Sequence, residues 1–180
     1  YKGYWYKNSM SEQTIMTKQE PHKGKIFCFS VMPGLEPELY HPILNSDLDV
    51  IVIGTVQTGG VPNQGKFSFI PFIKEATQRQ IPVYLLRGSL TAAQRPPHEY
   101  AAYRRDMTSV YKPERDAIRA AISAGATPLE KPDVSMLSQV VEMVNEVYSN
   151  RPSYDEGIEQ VSTAFSSPEF MESIRRIRRE

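Results

Sequence analysis

Hydroxyls, glycines and one guanidinium gather in two short stretches of this sequence, and any chemistry would have to rest on them. Residues 48–65 read LDVIVIGTVQTGGVPNQG and carry Thr55, Thr58, the pair Gly59 and Gly60, and Asn63. A second stretch, residues 81–90 (IPVYLLRGSL), ends in Arg87, Gly88 and Ser89. A threonine or serine hydroxyl becomes a nucleophile only beside a base that takes its proton. No lysine, histidine or carboxylate is paired by spacing with Thr55, Thr58 or Ser89, so they read as ligand contacts and not as catalysts. The backbone N–H groups of 58–60, ahead of a helix, could cradle an anion. Equally, Gly59 and Gly60 could serve only a tight turn, and both readings stand.

The remaining reactive side chains argue against other chemistries. His22, His41 and His98 lie far apart, and the His98-Glu99 pair has Ala102 where a zinc helix would place its second histidine. No metal site and no cofactor are expected. The glycines of 54–65 are not followed by Lys-Ser/Thr as in a P-loop, and no G-x-S-x-G elbow occurs. The single cysteine, Cys28, has no basic neighbour to lower its pKa and reads as a small core residue. The arginines at 175, 176, 178 and 179 suit a solvated helix face that complements the helix dipole, with an RNA contact as the lesser reading.

These stretches need elements to position them. Residues 25–32 (KIFCFSVM) alternate, with Ile26, Cys28 and Ser30 on one face and Phe27, Phe29 and Val31 on the other. Residues 49–55 and 81–86 are unbroken apolar runs, as in strands buried on both faces of a parallel sheet. A short helix is expected over 36–44. A second is expected over 68–78, with Ser68 as a possible N-cap and Pro71 tolerated in the first turn. A third spans 114–123 and stops at Gly125; residues 126–129 form a short fourth strand. Asp133 then caps a helix whose stripe is Leu137, Val140, Val141, Val144 and Tyr148. Further helices follow, carrying Ile158, Val161 and Phe165, and then Phe170. Strands alternating with helices imply right-handed βαβ units, with the polar loops at the carboxyl edge where such sheets take ligands. The long stretch 90–112 is the kind of connection that is functional or mobile.

At 180 residues the chain suits one domain with a substantial core. Lysine plus arginine number 21 and aspartate plus glutamate 21, so no global basic field favours nucleic acid. One cysteine excludes an internal disulfide framework and is compatible with a reducing compartment. No apolar run is long enough to span a membrane, and no charged-then-apolar segment opens the given sequence. Residues 1–23, with Tyr1, Tyr4, Trp5 and Tyr6, read as an arm or interdomain linker. Because the sequence starts at Tyr1, it is expected to be a fragment or processed piece of something longer.

The order of these segments resembles a known family. The first strand with Pro33-Gly34, then DVIVIGTVQTGGVP, IPVYLLRGSL, Tyr111 and AGATPLEKPDVSMLSQVVEMV, is similar to the C-terminal domain of asparaginases. The likeness extends to the type I enzymes and the D subunit of archaeal glutamyl-tRNA(Gln) amidotransferase, and covers about Gly24 to Tyr148. It implies a flavodoxin-like three-layer α/β domain with a parallel sheet of about four strands. The domain would occupy 24–150, with 151–180 as extra C-terminal helices. It implies packing against a larger, catalytic N-terminal domain, a homo-oligomer (a dimer), a small amide or amino-acid ligand, and a cytoplasmic location. The family's catalytic motifs, such as G-G-T-I and H-G-T-D-T, belong to that N-terminal domain and are absent here, so this chain alone is expected to be inactive. The resemblance further implies that Thr55, Thr58, Gly59, Gly60, Asn63, Arg87 and Ser89 border the ligand. Ser89 takes the place of an effector-binding cysteine, and Gly60 that of a polar loop residue.

Overall fold

The computed structural model describes residues 23–31, 34–55, 61–86, 111–129, 137–170 and 172. Four strands form one sheet in the order β1-β2-β3-β4, every pair parallel: β1 Ile26–Ser30, β2 Val50–Gly54, β3 Val83–Leu86 and β4 Thr127–Leu129. Between and after them lie α1 Ile70–Gln78, α2 Tyr111–Ser123, α3 Leu137–Tyr148 and α4 Tyr154–Ser166. The three-layer α/β arrangement is the one expected from the sequence.

Strand order explains the layers. Each crossover steps the same way along the sheet, and right-handed crossovers that all step one way lie on one face. On that face α1 and α2 bring Phe72, Ile73, Ala76 and Ala121 onto Ile51, Ile53, Val83 and Leu85. Phe27 and Phe29 of β1 turn to the same side, where the Phe29 ring stacks on Tyr40 at 5.0 Å. The other face is left for the α3–α4 hairpin, which lays Val140, Val144, Val161 and Phe165 on Val50, Val52 and Tyr84. Ile26 and Cys28 join this second cluster, so the alternation read from β1 holds. The inner strands β2 and β3 are covered on both faces, which is why their sequences do not alternate.

Three elements differ from the sequence reading. Residues 36–44 form two successive 3-10 turns, Pro37–Leu39 and His41–Asn45: Pro37 fits the first turn, but Pro42 lacks the N–H that a continuous helix would use at that point. On α3 the buried set is Gln139, Val140, Met143, Val144 and Tyr148, with Val141 only half-buried. Met143 belongs to the same cluster as Val161 and Phe165 of α4, so the stripe extends toward the hairpin partner. Ser68 is not the N-cap of α1; that place is held by Phe69, whose N–H donates to the Pro62 carbonyl at 2.8 Å. Asp133 lies outside the described residues.

Helix ends set the amino edge of the sheet. α1 closes with Gln80 N–H donating to Thr77 O and Ile81 N–H to Ala76 O, the Schellman pattern, with Gln80 at φ 60°. α2 closes the same way: Gly125 N–H donates to Ile122 O and Ala126 N–H to Ala121 O, with Gly125 at φ 105° as the sequence predicts. After α3, Arg151 takes the left-handed position at φ 50°, and Pro152 follows. α4 opens on a full capping box, with the Glu156 carboxylate accepting the Ser153 N–H at 3.0 Å.

Candidate functional site

All four strands stop level with one another. Register pairs Ser30 with Gly54, Gly54 with Leu86, and Leu86 with Leu129, so these residues form a row along the carboxyl edge. The loops expected to bind a ligand leave from this row.

Thr55 is the first residue beyond β2, and it is 9 % exposed. Its N–H donates to Leu86 O at 2.9 Å and its hydroxyl donates to the same carbonyl at 3.0 Å. The hydroxyl proton therefore ties the end of β2 to the end of β3. That bond joins the hydroxyl to a backbone carbonyl and not to a base that could take its proton. Asn63 lies half-buried just after buried Val61, in the segment that returns to α1. Thr58, Gly59, Gly60, Arg87 and Ser89 lie outside the described residues, so of the seven only Thr55, at the end of β2, and Asn63, in the segment leading into α1, are described.

Sequence reasoning passed over Ser30 and Gly54 as site residues. Ser30 is exposed at the end of β1. A β-carbon on Gly54 would lie 2.8 Å from Ser30 Oγ, so a side chain there would make the Ser30 hydroxyl turn away from its present place. The signal was present: a glycine and a serine each end an apolar strand, on faces that alternation makes common. A second bridge spans the same edge, where the Lys66 ammonium meets the Glu36 carboxylate at 2.5 Å and lies 4.9 Å from the Phe67 ring centre. Both partners are substantially exposed, and the bridge adds little to stability.

The opposite edge holds a shallow cleft of about 280 Å³ lined by residues including Asp47, Asp49, Tyr148, Arg151 and Tyr154. Lys25 donates from its backbone N–H to Asp49 at 2.7 Å and from its ammonium to Asp47 at 2.5 Å. The left-handed residues there, Gln80 and Arg151, are accounted for as helix ends.

Other reactive groups serve the fold. Cys28 is half-buried and burial pushes its thiol pKa up, which keeps it protonated and inert. His41 pairs with the Glu75 carboxylate at 2.8 Å and meets the Phe72 ring edge-on. No group of three or more histidine, cysteine, aspartate or glutamate side chains suited to a metal occurs among the described residues. Among those residues no helix is long and apolar enough to cross a membrane.

No family model matches the chain, and no curated protein matches it. Its structure is similar to that of L-asparaginase I from Vibrio cholerae O1 biovar eltor str. N16961, with a TM-score of 0.51 and 14% sequence identity. The likeness covers 80% of this chain and 36% of that one, so the chain spans little more than a third of the enzyme it resembles. At this identity the comparison speaks to the fold, and the fold is asparaginase-like.

Proposed function

We propose that this chain is the C-terminal, non-catalytic domain of an asparaginase-type amidohydrolase, serving subunit association and a small amide or amino-acid site at its carboxyl edge. The observation that carries the reading is the asymmetry of the likeness, 80% of this chain against 36% of the enzyme, in a sequence without G-G-T-I or H-G-T-D-T. The complete enzyme would attack a side-chain amide with a threonine of its N-terminal domain, pass through an acyl-enzyme and release ammonia. This chain would pack on that domain, assemble with further copies of itself in the cytoplasm, and border the ligand with Asn63 and the loops that carry Thr58, Gly59, Gly60, Arg87 and Ser89, with Thr55 anchoring the strand end from which the first of those loops leaves.

A second reading is a stand-alone binding or regulatory module without hydrolase activity, favoured by Gly60 and Ser89 where the family has other residues. Calorimetric titration of the chain with L-aspartate and L-asparagine tests the ligand site shared by both readings; saturable heat supports it and its absence counts against it. The two are separated by the coding sequence upstream of Tyr1. An open frame carrying both threonine motifs would sink the stand-alone reading.

A further inference from the structure

We propose that Ser30, and not Thr55, is the strand hydroxyl that contacts the ligand, an inference that rests on the reading of the carboxyl edge as a small amide or amino-acid site. Two hydroxyls stand at the ends of neighbouring strands. Thr55 is buried and its proton is committed to Leu86 O. Ser30 is exposed, one register position away across Gly54.

The backbone around Ser30 is fixed. Val31 N–H donates to Gly54 O at 2.8 Å, so β1 stays paired with β2 to its last residue. Gly54 supplies the space that the hydroxyl occupies, since a β-carbon there would meet Ser30 Oγ at 2.8 Å and Ser30 Cβ at 3.5 Å. Ser30 also ends the stripe that begins with Ile26 and Cys28, so it is the polar tip of an otherwise apolar face. A hydroxyl both donates and accepts, which suits a primary amide or the carboxylate of an α-amino acid. This assignment names the chemistry of the site: a small primary amide or α-amino acid held by a rigid strand end.

The test is an amide-resolved NMR titration of the full chain with L-asparagine and with L-aspartate, on the parent sequence, Ser30→Ala and Asn63→Ala. The expected result is saturable shifts at the Ser30 and Gly54 amides, an affinity about tenfold weaker in Ser30→Ala, and an unchanged melting temperature for that variant. Ser30→Ala binding as the parent does, while Asn63→Ala binds more weakly, would overturn the assignment of Ser30 and leave the site standing. No saturable shift at the carboxyl edge of the parent chain would overturn the site, and the assignment with it.

Discussion

The Thr55 hydroxyl donates to the carbonyl of Leu86 at 3.0 Å, alongside the Thr55 N–H at 2.9 Å, and so one acceptor ties β2 to β3 at the carboxyl edge. Thr55→Val keeps the shape and removes one donor. The remaining N–H still satisfies the carbonyl, so the expected loss is about 1 kcal/mol, read from denaturant unfolding. A loss well above that would mean the hydroxyl does more than join the strands.

A second close fit joins the α3–α4 hairpin to the sheet. Tyr148 and Tyr84 hydroxyls lie 3.0 Å apart, and a β-carbon on Gly157 would fall 2.5 Å from Tyr148 Oη. Gly157→Ala is expected to destabilise by about 2 kcal/mol through overpacking. Removing the clashing atom with Tyr148→Phe should return part of that loss in the double variant. Additive effects would mean that the two residues do not meet.

The same tyrosines predict an alkaline limit. Burial raises Tyr148 to about 12, and burial together with the Tyr148 hydroxyl raises Tyr84 from its ordinary value of 10.0. Groups raised in the folded state contribute stability below the unfolded value and lose it as pH rises toward the folded one. Melting temperature should therefore fall from about pH 10 upward, with part of the tyrosinate absorbance appearing only on unfolding. Tyr84→Phe should flatten that fall.

At acid pH the sign reverses. Arg79 first, at 2.5 Å, and then His41 hold the Glu75 carboxyl below its usual pKa. A lowered carboxylate contributes above its unfolded value and loses that contribution as pH falls through the folded one. Glu75→Gln should remove that share of the acid loss in melting temperature. An unchanged acid profile would show the Glu75 cluster to be too solvated to matter.

Helix ends offer a stabilising change. Gln80 and Arg151 hold left-handed φ values of 60° and 50°, where a side chain is costly and glycine is not. Gln80→Gly and Arg151→Gly should each add about 0.5 kcal/mol, the relief being partly offset by glycine's freedom in the unfolded chain. Gly125→Ala should act in the opposite sense, because its φ is 105° and its new methyl would meet Thr77 Oγ1 at 2.5 Å.

Much of this architecture was legible because burial leaves a clear trace in sequence. Val50 to Ile53 and Val83 to Leu86 are apolar on both faces, and only a strand covered by two helical layers needs that. Phe27 and Phe29 separated from Ile26 and Cys28 by alternation alone. Less legible were features set by neighbours distant in sequence. Nothing near Met143 announces the α4 hairpin packed beside it, and the proline at 42 is weak evidence for two 3-10 turns over one helix. The site was legible only by topology. The turn chemistry marked where the edge would be, but not that Thr55 would spend its hydroxyl on Leu86 while Ser30 stayed open. That difference follows from strand register, which a single sequence does not display.

The proposal is that this chain is the non-catalytic C-terminal domain of an asparaginase-type enzyme. It is tested most directly by measuring ammonia release from L-asparagine and L-glutamine by the isolated 180-residue chain. The expected result is release at background level; clear turnover, abolished by changing a residue of this chain, would contradict the account.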